Sequence, residues 1–286
     1  MPKTIAVVLK RNAPEAVHAF QIAERCLPEA RFVTPEDTWA SHRGELTGVE
    51  PLSPKQLDVE TDLALVFGGD GTIITAAALF LSRPVPMLGV NLGRLGFLTS
   101  VSHDELPSVL PRALAGELPF VDRMRLDVEV RRGHQVLLTG RVLNDAVMNP
   151  TGIARVAQYR VTLGGALVTS LRADGVIVAT PTGSTAYSMA AGGSIVMPGL
   201  AAVAITPICP SGLSHRPIVV APHGEVVVSL ESDNEVFCSL DGHVGQALMR
   251  GDEMAVRRAL VDTRILEVPW RPYFQMLRSK LRWGEG

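Results

Sequence analysis

The residues with the clearest chemical potential stand at Gly68-Gly69-Asp70-Gly71-Thr72, between the apolar run Leu63–Phe67 and the periodic stretch Ile73–Leu81. Glycines can adopt positive φ, and without a Cβ they let a ligand approach the main chain closely. A helix starting there offers unpaired N–H groups and the positive end of its dipole, which suits a phosphate. A carboxylate in such a loop repels phosphate unless it binds Mg2+ or takes a proton from an attacking hydroxyl. Asp70 therefore has two readings, a reactive carboxylate or a simple helix cap. Three glycines at the carboxyl end of a core strand favour the first, because open α/β sheets bind ligands there. The spacing fits neither G-x-G-x-x-G nor G-x-x-x-x-G-K-[ST], which disfavours a dehydrogenase and a P-loop NTPase.

A second stretch, Ala173–Val196 (ADGVIVATPTGSTAYSMAAGGSIV), reads as a strand, a hydroxyl-rich turn and a helix N-terminus. Thr180, Thr182, Ser184 and Thr185 offer hydroxyls, and Gly183 allows close approach. Tyr187 gives a flat face for ring stacking or a core aromatic. The plain alternative is a strand-to-helix connection with an ordinary Ser/Thr cap.

The elements that must position these residues divide the chain in two. The first part alternates strand and helix: Lys3–Leu9, then Pro14–Cys26 with helical spacing through Val17, Phe20, Ile22 and Ala23. Leu63–Phe67 is continuously apolar, as a strand buried on both faces should be. Ile73–Leu81 reads as a helix and Val85–Val90 as a further strand, so a parallel, Rossmann-like sheet flanked by helices is expected. Residues 36–60 are polar and Pro/Gly-bearing and read as a long surface loop. From about Arg125, apolar and polar residues alternate through Leu126, Val128 and Val130, and turn signals punctuate strand after strand. Tyr159–Leu163, Gly164-Gly165 and Ala166–Leu171 form the strongest hairpin signal. The second domain is therefore expected to be mainly β, with one helix opening after Thr185. The expected division is an α/β domain over 1–122, a β-rich domain over 123–270, and a closing helix within 271–286 that returns to the first domain.

Composition narrows the function classes. The 286 residues are 47% hydrophobic and 20% charged, as in ordinary globular chains, and two domains fit the length. A net charge of −2 gives no electrostatic reason to bind nucleic acid or an anionic membrane. Cys26, Cys209 and Cys238 are scattered, which argues against a disulfide framework and a zinc site. The N-terminal apolar run is too short for a signal peptide, and no stretch approaches the ~18 apolar residues of a membrane span. A cytoplasmic location is expected.

With these residues in view, the chain resembles a known family. G-G-D-G-T is similar to a signature shared by NAD kinases and the diacylglycerol and sphingosine lipid kinases, and Ala173–Val196 resembles the long signature of NAD kinases. Asn144-Asp145 corresponds to that family's Asn-Glu or Asn-Asp motif, whose amide and carboxylate could read an adenine edge or ribose hydroxyls. A turn-forming Asn-Asp pair is its plain alternative. Asn91–Thr99 resembles the family's Gly-rich loop, where Phe97 would line the nucleotide pocket or else fill core. Asp241-Gly242-His243 resembles a segment that approaches the dinucleotide, or is a hairpin tip.

The resemblance implies phosphoryl transfer from ATP or polyphosphate to the adenosine 2′-hydroxyl of NAD, with Mg2+ or another divalent cation carried by the nucleotide rather than by a protein site. NAD would lie between the two domains, its adenosine near Asn144 and Asp145 and its other half along Asp174 and Thr185, Ala186, Tyr187, Ser188, Met189 and Ala190. Asp70 and Gly71, Phe97 and His243 would also face it. Arg155 and Arg172 sit where the family has basic or polar contacts, or are solvated strand charges. Asp70 would take the 2′-hydroxyl proton, while Gly68, Gly69, Gly71 and Thr72 cradle the donor phosphates. A homodimer or homotetramer is implied, with neither nucleic acid nor membrane as partner.

Two other readings are a lipid kinase of the same superfamily, which the T-P-T-G-S-T-A-Y stretch opposes, and a silent NAD(P)-binding sensor, which the intact G-G-D-G-T opposes. The chain departs from the family at Ala190, where Ser is usual, and at Ser194, where Pro is usual. The lost hydroxyl would cost roughly 0.5–1.5 kcal/mol of contact to the nicotinamide half. Ile208–Val219 also departs, with Gly212 and His215 read as a local repacking.

Overall fold

The computed structural model describes residues 2–93, 96–150, 156–212 and 214–283. The chain forms two compact units, one of residues 1–122 with 263–286 and one of residues 123–262.

In the first unit the strands run, in order across the sheet, Glu50–Leu52, Arg31–Pro35, Thr4–Leu9, Leu63–Phe67, Pro86–Asn91, Thr263–Leu266 and Phe120–Arg123. The pairings from Glu50–Leu52 through Thr263–Leu266 are parallel, and Val101–Ser102 pairs parallel beside Pro86–Asn91. Thr4–Leu9 and Leu63–Phe67 are buried throughout, as their unbroken apolar runs require. The helix Pro14–Cys26 opens on proline and buries Ala16, Val17, Ala19, Phe20 and Ala23 on one face. Phe20 meets Phe32 and Phe67 edge-on at 5.4 and 6.3 Å, and this cluster centres the core. The winding reverses between Thr4–Leu9 and Leu63–Phe67, so the loop after Phe67 stands at a switch point of the sheet.

Residues 36–60 are not a loop. They form the helix Glu36–Ser41, the edge strand Glu50–Leu52 and the helix Pro54–Glu60. Each is too short to show periodicity, and the signal that marks the last helix is local: Pro54 at its start, with the Ser53 N–H and hydroxyl both reaching Gln56 Oε1. The helix Leu106–Leu114 was hidden by Pro107 and Pro111. The return to the first unit begins at Thr263, earlier than the expected 271, because Thr263–Leu266 joins the parallel sheet beside Pro86–Asn91. The closing helix is Tyr273–Leu281, which buries Met276 and Leu277.

The second unit contains two antiparallel sheets. One runs Ile218–Val220, Val203–Ile208, Gly175–Ala179, Asp145–Pro150, Val236–Leu240 and Val244–Leu248. The other runs Ala166–Ala173, Ala157–Leu163, Val226–Leu230, Asp252–Arg258, Leu126–Arg132 and Gln135–Val142. Alternating residues such as Val128, Val130, Tyr159, Val161, Val226 and Val228 point into a core shared with the first sheet. The helix expected after Thr185 is only a 3-10 turn, Gly183–Thr185, followed by the single turn Tyr187–Ala190.

Candidate active site

In the first unit the helix begins at Asp70 itself rather than at Ile73, with Gly69 as its cap. Thr72 and Ile73 both donate to the Gly69 carbonyl, while the N–H groups of Gly69, Asp70 and Gly71 find no acceptor among the described residues. That leaves three donors open at the positive end of a helix. None of Gly68, Gly69 and Gly71 uses the positive φ open to glycine, and the loop runs from strand to helix in ordinary backbone.

The Asp70 carboxylate is fixed by a second loop. Phe97 N–H donates to Oδ2 and Leu98 N–H to Oδ1, both at 2.9 Å. That loop leaves the neighbouring strand at Asn91, and its Thr99 hydroxyl accepts from Gly96 N–H at 3.0 Å. Gly96 is the residue the arrangement depends on, since a Cβ there would lie 1.9 Å from Asp70 Oδ1. Two accepted bonds leave an ionised carboxylate further lone pairs to receive a hydroxyl proton. Phe97 is half-buried, its ring 6.4 Å from that of Tyr273 and 5.9 Å from the Lys280 ammonium, on the closing helix. Sequence reasoning missed both partners, because the helix lies far along the chain.

In the second unit, Asn144, Asp145, Thr180, Gly183 and Asp241 are knitted together. Asp241 accepts hydrogen bonds from the N–H groups of Leu143, Asn144 and Asp145 at 2.7, 2.8 and 3.0 Å. The Asn144 carbonyl accepts from Thr180 N–H at 2.8 Å, and the Thr180 hydroxyl donates to the Leu143 carbonyl at 2.6 Å while accepting from Gly183 N–H. A Cβ on Gly183 would lie 2.2 Å from the Asn144 carbonyl oxygen. Burial, and then the Asp241 charge, push the Asp145 carboxyl up to about 7. Burial also raises Asp241, against the three N–H bonds that lower it, so Asp145 is the member of the pair that takes the proton. Asp241 is thus a positioning group; the sequence reading names the segment Asp241-Gly242-His243 but assigns only His243 to the site, and the Asp-Gly pair, with Asp241 at φ +49°, makes the turn that aims the carboxylate at these N–H groups.

The hydroxyls of the Thr180–Thr185 turn are mostly spent on the fold. Ser184 binds the Pro181 and Val196 carbonyls and accepts from Val196 N–H, and Thr185 donates to the Thr182 carbonyl. The Ser188 hydroxyl is buried at 2.9 Å from that of Thr206, so Ser188 has only its main chain to offer a ligand. Tyr187 and Ala190 are exposed, and Thr185, Ala186 and Met189 are half-buried. Tyr187 is therefore a surface ring rather than a core aromatic.

Asp174 is half-buried and donates its N–H to the Ile208 carbonyl. Burial, and then the Asp174 charge, raise the Tyr159 phenol, whose buried hydroxyl has no hydrogen-bond partner among the described residues. Arg172 is exposed, its carbonyl accepting from Ser211 N–H. His243 is exposed at the turn. Arg155 lies outside the described residues. His215 closes a turn onto the Gly212 carbonyl, and its Nδ1 lies 3.4 Å from the Thr169 hydroxyl. Among the described residues no three His, Cys, Asp or Glu side chains gather as a metal-ligand set.

These features have counterparts in known proteins. Residues 6–118 match the model of the ATP-NAD kinase N-terminal domain, and residues 143–268 that of the C-terminal domain. An NAD kinase of Geobacter sulfurreducens is 46% identical over 260 residues, covering 90% of each chain. One of Trichlorobacter lovleyi is 42% identical over 286 residues, covering 99% of each. Yeast NADH kinase, solved with NADH, superposes with a TM-score of 0.91 at 25% identity, over 100% of this chain and 89% of that one. An Archaeoglobus fulgidus NAD kinase, solved with ATP, shares the fold with a TM-score of 0.75 at 24% identity, over 98% of each chain. Two matched domains and near-full-length relatives settle the assignment: the chain belongs to the ATP-NAD kinase family.

Proposed function

We propose that this chain transfers the γ-phosphoryl group of ATP, or a terminal phosphoryl group of polyphosphate, to the adenosine 2′-hydroxyl of NAD, giving NADP. The observation that carries the reading is Asp70, whose carboxylate is held by two loop N–H groups beside three open helix N–H groups. The 2′-oxygen attacks phosphorus, the bond to the donor's bridging oxygen breaks, and Asp70 accepts the hydroxyl proton. The open N–H groups at Gly69, Asp70 and Gly71 face the donor phosphates, with Gly68 and Thr72 shaping the loop. Mg2+ or another divalent cation arrives with the donor and neutralises charge on its phosphates.

The second unit is read as the half that recognises the dinucleotide. Asn144 and Asp145 take the adenosine, and Asp174 and Thr185–Ala190 take the remainder, Ser188 through its main chain alone. Arg172, Arg155 and His243 add polar contacts, and Phe97 packs on a ring. The chain is further read as a cytoplasmic homodimer or homotetramer, binding neither nucleic acid nor membrane. The free thiols Cys26, Cys209 and Cys238 suit a reducing compartment, and no described helix is long and apolar enough to cross a membrane. Exposed Leu167, Ile218 and Val219 lie on edge strands that a second copy would cover.

The test supplies NAD with ATP and Mg2+, and in parallel with polyphosphate, and follows NADP with an NADP-specific dehydrogenase. NADP formation that stops with EDTA and is lost in Asp70→Asn, with NAD affinity unchanged, supports the mechanism. Wild-type-like turnover in Asp70→Asn removes the proton-acceptor role, and absence of NADP with either donor leaves a non-catalytic NAD-binding protein.

A further inference from the structure

We propose that Lys280 of the closing helix is a phosphate-binding residue on the Asp70 side of the molecule, taking the donor's phosphate chain or the pyrophosphate of the dinucleotide. The proposal rests on the phosphotransfer reading above. Tyr273 and Lys280 stand seven positions apart, two turns along one face of the helix Tyr273–Leu281, and the Phe97 ring contacts both. The ring thereby links Lys280 to Asp70, because the N–H of the same Phe97 donates to the Asp70 carboxylate. The side of the molecule that leaves three N–H groups open for an anion thus also carries a cation braced on its own loop.

Lys280 is exposed, and among the described residues no carboxylate pairs with it. Two guanidinium groups of this unit are held in ion pairs, Arg271 with Glu105 and Arg264 with Asp122, and it is the contact with the Phe97 ring that sets Lys280 apart from Arg278 and Arg282. An aromatic face holds an exposed ammonium only weakly. A phosphate oxygen forms a charge-assisted hydrogen bond with it and draws it off the ring. The four-carbon stem gives the ammonium the reach to follow phosphates as they change during transfer. A lysine in the last helical turn also complements the helix dipole. Loss of that role alone would lower stability and leave both Michaelis constants unmoved, so the two are separable.

The experiment measures KM for ATP and for NAD in wild type, Lys280→Gln and Lys280→Arg, at low and high salt. Removing a charged hydrogen bond to phosphate should raise one KM about tenfold, with kcat little changed. Lys280→Arg should restore it, and added salt should shrink the difference. A rise confined to ATP assigns the donor's phosphates, and one confined to NAD assigns the pyrophosphate. A calorimetric titration of inorganic triphosphate into wild type and Lys280→Gln reads the site without turnover. If wild type makes no NADP, the phosphotransfer reading fails while this arm still decides the residue. Unchanged KM values with unchanged triphosphate binding would overturn the proposal.

Discussion

Asp241 and Asp145 share one buried strand end: the Asp241 carboxylate accepts the Asp145 N–H at 3.0 Å, and the two acidic side chains repel. The three N–H bonds stabilise negative charge on Asp241, so the cost of crowding falls on Asp145, only 7% exposed. On the proposed reading of Asn144 and Asp145 as adenosine contacts, this repulsion lies where a bound ligand would meet it.

That arrangement sets a pH dependence. The Asp145 carboxyl is raised from 3.8 to about 7 in the folded chain. Between those values the folded state holds a proton that the unfolded state has released, so this group's contribution to stability falls as pH rises through the window. Asp145→Asn has no charge to bury. It should be the more stable form at pH 8, by about 1–3 kcal/mol once relaxation is allowed for, and the gap should close toward pH 4. Thermal melts of both proteins at pH 4, 6 and 8 check this. An equal gap at every pH would mean that Asp145 is not the group that takes the proton.

Glu105 sets the opposite dependence in the first unit. Burial alone would raise its carboxyl, yet the Ser102 N–H, Arg271, the Ser102 hydroxyl and Trp270 Nε1 together hold it at about 2. Arg271 also binds the Ser100 carbonyl, so this network anchors the start of the closing helix to the segment after the Asp70-holding loop. The stability it contributes is complete above pH 4.5 and lost as pH falls through about 2. Glu105→Gln should cost about 1–3 kcal/mol at pH 7 and less at pH 2.5. Urea unfolding followed by tryptophan fluorescence reads this, and a cost that persists at pH 2.5 would exclude the ionised network as its source.

Local patterns made the fold largely legible. Leu63–Phe67 announced a doubly buried strand by its unbroken apolar run, and Gly164-Gly165 announced a hairpin by its turn chemistry. Asp70 stood out because a lone carboxylate in a phosphate-friendly loop needs a reason. What stayed hidden was non-local. Glu105 and Arg271 meet across 166 residues, and Asp241 reaches Leu143 across 98. The turn Thr180–Thr185 looked like a row of ligand hydroxyls, yet Thr180 and Ser184 satisfy backbone groups, which side-chain chemistry alone does not reveal. Short elements within residues 36–60 escaped because runs of six, three and seven residues cannot display a period.

The sharpest steric test concerns Gly96. A Cβ there would stand 1.9 Å from Asp70 Oδ1 and 2.6 Å from the Thr99 hydroxyl. Neither neighbour is the free end of a flexible chain: Asp70 is held by Phe97 and Leu98 N–H, and Thr99 by Gly96 N–H. Gly96→Ala must therefore displace the carboxylate or lift the loop that carries it. Overpacking of this kind costs roughly 1–3 kcal/mol of stability. The larger loss is kinetic, since a misplacement of about 1 Å in a reacting group can cost on the order of a hundredfold in rate. Because Asn144, Asp145 and Tyr187 are untouched, any loss of NAD affinity should come from the Phe97 contact alone and stay small beside a fall in kcat of at least tenfold. Parallel calorimetry with NAD and steady-state kinetics separate the two effects. Undiminished kcat in a folded Gly96→Ala variant would mean that the position of Asp70 set by this loop is not the one used in turnover.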